Sequence, residues 1–317
     1  MIRSKIYKLF FSWKNISALF ISVFFISLSL KDLNINDLDW NVISEINYFY
    51  ISYTFFLFIV AIYFRAKRWS LTFNNKKDIK ILFHMQLIGY FGNNIFPLRL
   101  GEFLRSYLLS NKIKESNSYI FGTIVIERFL DMFMAAIFGL ILLFYNASTS
   151  DYSMQILIIF IVVFLGLLIS FFMKNNNKFD IPYLKFFNDI FKGFSQINSS
   201  NIILIFIYSL IIWMIYLQNI YFVQYAFNLN FTYLECMLIL VVSTIFFALP
   251  TVPGSFGAFE YGVIFSIESI LLKTAGPFLA FSLVLHLCSY IPYTLLGSIY
   301  FFKYYTFDKT FEDDKLE

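Results

Sequence analysis

Two long apolar stretches of this chain are broken by proline, glycine and charged residues, and these breaks constrain the fold more than any other feature. The first reads NNIFPLRLGE from Asn93 to Glu102, and the second reads PTVPGSFGAFE from Pro250 to Glu260. In both, a glycine lies four positions after a proline and a carboxylate closes the motif. Freed backbone groups and charges are costly in lipid. Paired breaks in two halves of a membrane protein therefore predict a substrate site built from broken helices.

The composition places these breaks in a membrane. Hydrophobic residues make up 59% of the chain, charged residues 14%, and the mean hydropathy is +0.71. Soluble domains have roughly 45 to 50% apolar and about 25% charged residues. The segment Met1 to Leu30 has basic residues followed by an apolar run but lacks a small-x-small cleavage site. We therefore predict a polytopic membrane protein with an uncleaved first helix.

The apolar runs and the basic residues predict a topology. We predict full spans near 15–31, 46–64, 119–145, 154–173, 201–227 and 277–302, with broken regions at 81–110 and 234–272. A cytoplasmic N-terminus leaves most of the 24 basic residues in the cytoplasm, provided that each broken region returns to the side it entered from. As a helix, the segment from Ile81 to Phe96 would reach about 24 Å, less than the roughly 30 Å hydrocarbon core.

The predicted fold is therefore all-α, with six full transmembrane helices and two re-entrant hairpins of opposite sense in an inverted repeat. The alternative is eight ordinary spans with two proline kinks. The transmembrane domain would cover 1–306, in halves of roughly 1–150 and 151–306, with a charged, disordered tail at 307–317. An amphipathic helix is expected between Lys174 and Asn201. Both termini would be cytoplasmic, and the location would be the cytoplasmic membrane.

The first broken region contains candidate headgroup ligands. Arg99, Glu102 and Arg105 recur every third residue, which places them on one face of a helix that starts at Pro97. The positive end of that helix, together with Arg99, could hold a phosphate. The alternative is that Glu102 only neutralises the two arginines. The predicted substrate-binding residues of this region are Asn93, Asn94, Pro97, Arg99, Gly101, Glu102 and Arg105.

Two further groups complete the predicted site. Glu127, Arg128 and Asp131 occur early in the 119–145 run, where ionisable residues must face protein or water. A structural salt-bridge cluster is the alternative. The second motif contributes Pro253, Gly254, Gly257 and Glu260, whose glycine-rich turn could expose backbone N–H groups to an anion. We expect Glu260 to pair with Arg128 or Arg99.

Other polar residues carry weaker predictions. Arg65 and Arg68 belong to an interfacial cluster that attracts anionic headgroups or only obeys the positive-inside rule. Cys236 and Cys288 lie in apolar segments and are expected to be core residues. His84 and His286 are far apart, His286 is expected to be a packed hydrogen-bonding residue, and we expect no metal and no cofactor.

The ordered set of motifs resembles the flippase-like family that includes the transmembrane region of lysylphosphatidylglycerol synthase. The resemblance rests on four motifs: Arg65 to Trp69, Asn93 to Arg105 with its Pro-x-Arg-x-Gly-Glu core, Glu127-Arg128 with Asp131, and Pro253 to Glu260. It covers essentially the whole chain. It implies translocation of a polar-headgroup lipid through a cavity between two inverted halves, by a stand-alone form without the aminoacyl-transferase domain. Lipid aminoacylation is therefore not expected, and no catalytic residue is assigned.

Three functions remain open at this point. The first is translocation of a phospholipid or a polyprenyl-phosphate-linked lipid. The second is a polyprenyl-dependent glycosyltransferase or phosphotransferase, suggested by Asp37 and Asp39 in the first outer loop. The third is a small-solute secondary transporter. The expected partners are membrane lipids, a separate lipid-modifying enzyme or a second copy of the chain, and not nucleic acid.

Overall fold

The computed structural model of the chain describes residues 44–73, 75, 77–96, 99–145, 199–248, 252–273 and 276–313, with side chains to 304. Within these ranges the protein is all-helical. The α-helices are α1 (Tyr48–Ser70), α2 (Ile79–Ile95), α3 (Gly101–Ile113), α4 (Asn117–Tyr145), α5 (Ile202–Ala226), α6 (Tyr233–Phe247), α7 (Ala258–Phe265) and α8 (Phe278–Asp313). A short 3₁₀ turn, Pro253–Ser255, precedes α7, and a π-helical segment, Ser266–Ile270, follows it.

Local sequence explains where these helices start. The side chains of Asn47 and Asp78 accept hydrogen bonds from the first turns of α1 and α2. Thr232 and Glu235 form a reciprocal capping box at the start of α6. These caps satisfy backbone donors that would otherwise lack partners.

Three of the described helices are long and apolar enough to cross a membrane: Tyr48–Ser70, Ile202–Ala226 and Phe278–Tyr304. These correspond to the predicted spans 46–64, 201–227 and 277–302. The predicted run 119–145 is also helical, as α4. The predicted spans 15–31 and 154–173, and most of the predicted 174–201 helix, lie outside the described residues. The number of spans stays a prediction.

Two helix boundaries differ from the prediction. Helix α1 continues past residue 64 to Ser70, so Arg65 and Arg68 lie on a helix and not in a loop. Helix α8 reaches Asp313, whereas a disordered tail was predicted from 307. No glycine or proline occurs between Phe302 and Asp313 to end that helix.

Each broken apolar region folds as two helices that pack against each other. In the first region, the contact between α2 and α3 is very close. A methyl group at Gly101 would lie 1.9 Å from the carbonyl oxygen of Gly89, and one at Gly92 would lie 2.5 Å from the Cα of Gly101. In the second region, Phe246 of α6 contacts Gly262 of α7. Glycine is required at these positions because any side chain would separate the helices.

The two helical hairpins pack around the long helices. Helix α1 lies against α5, and α2 packs against α8. A smaller apolar cluster joins the end of α1 to α2, α3 and α4 through residues such as Trp69, Met85 and Ile124. The indole N–H of Trp69 donates to Thr123 Oγ1 over 2.8 Å. This cluster fixes α4 beside the first hairpin, where the charged residues of both elements meet.

Candidate functional site

Asp131 on α4 is the centre of a group of arginines. It accepts hydrogen bonds from both terminal nitrogens of Arg65, and its Oδ1 lies 2.9 Å from Arg68 Nη2. Arg128 approaches the same carboxylate at 3.6 Å. Arg65 and Arg68 are buried, with 3% and 0% of their surface exposed. The sequence predicted them in an interfacial cluster after the second span, whereas the extra turns of α1 direct both side chains against α4. Their attraction for anionic headgroups stays a prediction.

Glu127 lies one turn before Asp131 and is fully buried. Its Oε2 is 2.9 Å from Arg105 Nη2 on α3, and its Oε1 accepts a hydrogen bond of 2.8 Å from Gln86 Nε2 on α2. Gln86 Oε1 in turn accepts from Arg105 Nη1 over 2.6 Å. Arg68 approaches Glu127 at 3.8 Å. The predicted shared face of Glu127 and Asp131 is confirmed, since both carboxylates approach Arg68 of α1.

Glu102 has a different partner from the one expected. Arg128 Nε lies 2.7 Å from Glu102 Oε1, so α3 and α4 are joined by this ion pair. The alternative in which Glu102 only neutralises Arg99 and Arg105 does not match this pairing, because Glu102 pairs with Arg128 and Arg105 pairs with Glu127. Arg128 retains 33% of its side-chain surface exposed and is the most accessible arginine in these ion pairs.

Arg99 precedes α3 and has an unusual backbone conformation. Its φ is +56°, a left-handed value that non-glycine residues seldom adopt. The guanidinium lies 4.8 Å from the ring centroid of Phe247, at the end of α6. Arg99 has no carboxylate contact within the described part of the chain. The expected helical alignment of Arg99 with Glu102 and Arg105 was wrong, since the helix starts at Gly101.

The cluster has an excess of positive charge. Five arginines, Arg65, Arg68, Arg99, Arg105 and Arg128, face three carboxylates, Glu102, Glu127 and Asp131, among the described residues. The group therefore has a net formal charge of +2, although Arg99 is its one arginine without a carboxylate contact among the described residues. Unbalanced charge inside a membrane protein is unfavourable unless water or an anion neutralises it. The arrangement can accordingly receive an anionic group.

A narrow polar cleft runs beside this cluster. It is lined by Gln86, Gly89, Tyr90, Asn93, Arg105 and Arg128. The side-chain oxygen of Asn93 is buried there without a hydrogen-bond partner. In this conformation the cleft is too narrow to admit a water molecule. A headgroup could enter only if the helices around the cleft moved apart.

The second motif forms a tight turn between α6 and α7. Gly254 and Gly257 have φ values of +73° and +86°, which favour glycine. Pro253 begins the 3₁₀ turn, and Ser255 Oγ donates to the carbonyl oxygen of Phe247 over 3.3 Å. Glu260 Oε2 accepts the N–H of Gly257 over 2.7 Å. The carboxylate of Glu260 thus occupies one of the N–H groups that we expected to face an anion.

Glu260 contacts a histidine. Its Oε1 lies 2.6 Å from His286 Nδ1 on α8, and both residues are almost fully buried. The predicted pairing of Glu260 with Arg128 or Arg99 was wrong, because α7 packs against α8 and brings Glu260 to His286. The prediction that His286 is a packed, hydrogen-bonding residue is confirmed.

Both broken motifs meet the middle of α8. Asn94 Nδ2 donates to Thr294 Oγ1 over 2.8 Å, and Tyr290 Oη donates to the carbonyl oxygen of Asn94 over 3.4 Å. From the other side, a methyl group at Gly254 would lie 2.7 Å from the ring of Tyr290. The tips of the two hairpins therefore contact the same segment of α8, next to the helix-interior proline Pro292.

Sequence reasoning missed three polar residues around the cluster: Gln86, Tyr90 and Ser209. Ser209 accepts a hydrogen bond of 3.1 Å from Arg68, and Tyr90 lies under Arg65 at 5.8 Å. A buried glutamine in an apolar helix is the one signal that could have been followed, because an amide in lipid needs a partner. Tyrosine is too frequent here, with 22 copies, to single out one.

The remaining predictions concern the two cysteines, a metal site, and residues that the structure does not describe. Cys236 and Cys288 are buried and unpaired with each other, as predicted. Across the described ranges no group of three or more histidine, cysteine, aspartate or glutamate residues could hold a metal ion. Pro97 and the Asp37 and Asp39 pair lie outside the described residues.

Comparison with known proteins agrees with these motifs. The family model described as the lysylphosphatidylglycerol synthase TM region matches residues 15–297. A UPF0104 membrane protein of Methanocaldococcus jannaschii is 30% identical over 220 residues, which cover 67% of this chain and 93% of the relative. No solved structure matches the chain. The match extends from before α1 into α8 and includes every motif of the charged cluster. The chain therefore belongs to the lysylphosphatidylglycerol synthase transmembrane-region family.

Proposed function

We propose that the protein moves a lipid with an anionic polar headgroup between the two leaflets of the membrane. The observation that supports this most directly is the excess of two positive charges in the arginine cluster. A phosphate is the membrane group best suited to that excess, since arginine binds phosphate through paired hydrogen bonds. The family is named after a lipid-modifying enzyme, which is consistent with a lipid substrate.

The five arginines have different roles in this proposal. Arg68 and Arg105 are buried and paired with carboxylates, so they hold α1, α3 and α4 together. Arg99 has no acidic contact in the described ranges, and Arg128 is one-third exposed. We assign to Arg99 and Arg128 the direct contact with the headgroup phosphate. The left-handed backbone of Arg99 fits this role, because strained residues are often maintained at functional sites.

The two hairpins would form the route of the headgroup. We propose that they are re-entrant and enter from opposite sides of the membrane as an inverted repeat. Their tips contact one segment of α8 around Tyr290, so a shift of that segment would affect both. Closely packed glycines at Gly92 and Gly101 make the first hairpin a rigid unit. Movement of one hairpin against α8 would open the cleft to one leaflet at a time.

A lipid-transfer assay tests the proposal. The protein is reconstituted into vesicles that contain fluorescent phosphatidylglycerol, phosphatidylcholine or a labelled polyprenyl phosphate, and the fraction of label accessible to an outside quencher is followed. We expect faster transfer of the anionic lipids than in protein-free vesicles. Rates equal to those of empty vesicles for every anionic lipid would refute the proposed function.

Substitution of Arg99 tests the site within the same assay. A hydrogen bond to a charged group contributes about 1.5 to 3 kcal/mol, so R99Q should slow transfer about 10- to 100-fold. The thermal stability of R99Q should match the wild type, because no described carboxylate loses its partner. The matched control is K112Q, which removes an exposed charge from α3. Equal transfer rates for R99Q and K112Q would exclude Arg99 from the headgroup site.

A further inference from the structure

The pair formed by Glu260 and His286 is not needed to bind a phosphate, yet it is the closest contact between ionisable groups in the second hairpin. The distance between Glu260 Oε1 and His286 Nδ1 is 2.6 Å. The exposed fractions are 3% for Glu260 and 2% for His286. Buried ionisable groups of this kind in membrane helices commonly carry protons.

The surroundings of His286 are aromatic on several sides. The rings of Phe256, Phe259 and Phe247 lie 4.6, 4.8 and 6.2 Å from the imidazole, and Tyr290 lies one turn further along α8. A purely structural hydrogen bond to Glu260 could be made by asparagine, glutamine or serine. An imidazole in the same place adds a second ring nitrogen that can bind a proton.

Among the described residues, few other titratable groups face this pair. Helix α7 contributes Glu260, α8 contributes His286 and Tyr290, and α6 contributes the apolar ring of Phe247. The nearest charge across that ring is Arg99, from the segment before α3. Glu268 follows α7 on an exposed position. Arg99 is thus the described arginine that approaches the pair across the ring of Phe247.

Phe247 connects the pair to the proposed headgroup site. Arg99 lies 4.8 Å and His286 lies 6.2 Å from the centroid of this one ring, so the guanidinium and the imidazole are within about 11 Å. When His286 is neutral, the pair carries one negative charge and attracts Arg99. When a proton binds to the second ring nitrogen of His286, the pair becomes neutral and Arg99 is free to bind an anion.

We infer that the Glu260–His286 pair takes up and releases one proton in each transport cycle, so that an anionic lipid moves together with a proton; this inference rests on the proposed function. The proton adds to the Nε2 lone pair of the imidazole, while Nδ1–H continues to donate to the Glu260 carboxylate. The proton and the lipid enter from the same side and leave on the other. No bond other than the N–H bond is made or broken, and no further reactant is required.

The transfer assay with an imposed pH gradient tests the coupling. For one proton per anionic lipid, a gradient of one pH unit drives up to about a tenfold enrichment of labelled lipid in the leaflet that faces the alkaline side. We expect this enrichment with the wild type and not with H286Q, whose amide keeps the hydrogen bond to Glu260 but cannot titrate. H286Q keeps the pair in its negatively charged form, so its downhill transfer at equal pH should be slower than that of the wild type and should not change with pH. The matched control is H84Q, since His84 is the other histidine of the chain and is buried on α2.

The outcomes separate this inference from the proposed function. If H286Q retains the enrichment, or if the wild type moves lipid downhill without responding to the gradient, the inference is wrong and the proposed function stands. If no lipid moves in any condition, the proposed function fails first. The pair is then tested without transport, by ¹⁵N NMR of H84Q in nanodiscs, where His286 is the only histidine. Ring signals that stay unchanged between about pH 5 and 8 would show that His286 carries no proton.

Discussion

Replacing Glu127 with glutamine is the most direct test of the buried ion-pair cluster. The substitution keeps the size of the side chain and the hydrogen bond from Gln86, but it removes the charge that faces Arg105 at 2.9 Å and Arg68 at 3.8 Å. Glu127 is fully buried, as are Arg68 and Arg105. Loss of the Glu127 charge therefore leaves the buried guanidinium groups of Arg105 and Arg68 without this ion-pair partner.

The expected magnitude follows from these distances. At an effective dielectric constant of about 20, charges separated by 2.9 Å and 3.8 Å attract each other by about 6 and about 4 kcal/mol. The new amide recovers about 1 kcal/mol through its own hydrogen bonds. Structural relaxation and residual water reduce the remaining loss of attraction. Removal of one partner of a buried ion pair usually costs about 3 to 5 kcal/mol. We expect E127Q to lower the free energy of unfolding by that amount.

Unfolding in mixed micelles with increasing SDS, followed by circular dichroism, measures the change. The control is E235Q, because Glu235 and Lys273 form a partly exposed pair that should contribute about 0 to 1 kcal/mol. A double variant, E127Q with R105M, removes the uncompensated cation and should be less destabilised than the sum of the two single changes by about 2 kcal/mol. A loss below about 1 kcal/mol for E127Q would show that the cluster does not depend on direct charge pairing.

Three further changes probe other parts of the structure. G101A places a methyl group 1.9 Å from the carbonyl oxygen of Gly89, so it should destabilise the first hairpin by more than about 2 kcal/mol. G89A should cost less in the same unfolding assay, because the nearest atoms to its methyl group belong to the side chain of Arg105 and not to the backbone. N94A removes the 2.8 Å bond to Thr294 and should cost about 1 to 2 kcal/mol, with faster amide exchange at the hairpin tip by mass spectrometry. Glu235 lies at the start of α6, outside the three membrane-spanning helices. Burial raises the pKa of this carboxyl group, but hydrogen bonds from Lys273 and Thr232 outweigh burial and hold the pKa below its ordinary value of 4.5. The contribution of Glu235 to stability is thus present above pH 4.5 and lost as the pH falls through the lower folded pKa, and E235Q should abolish that part of the pH dependence of unfolding.

Much of the fold could be predicted because hydrophobicity and helix breakers act locally. The spans 46–64, 201–227 and 277–302 appear as long helices, and the breaks near residues 97 and 253 fall between helices. The end of α1 was missed because Arg65, Lys67 and Arg68 look like a cytoplasmic flank. Arg65 and Arg68 are instead buried against Asp131 and Glu127. These carboxylates lie 59 or more positions further along the chain, so no local pattern reveals the contacts.

The membership of the charged site was easier to predict than its pairing. The predicted charged residues do lie close together, since charged side chains in apolar helices must face other polar groups and not lipid. They are Glu102, Arg105, Glu127, Arg128 and Asp131. Which arginine meets which carboxylate depends on how α3 and α4 are rotated against each other. The glycine contacts between α2 and α3 fix the position of α3 against α2, and they act across the hairpin through backbone atoms.

The two hairpins carry different charged residues, which indicates that they have different roles. The first hairpin brings arginines against α4, where three carboxylates leave two positive charges in excess. The second hairpin brings no described arginine, and its one buried carboxylate, Glu260, is held by His286 and by the N–H of Gly257. If both hairpins bound the headgroup in the same way, Glu260 would repel it. A carboxylate whose charge is cancelled by a protonated neighbour does not repel the headgroup. The first hairpin is thus suited to hold the anion, and the second is suited to control when Arg99 is available to it.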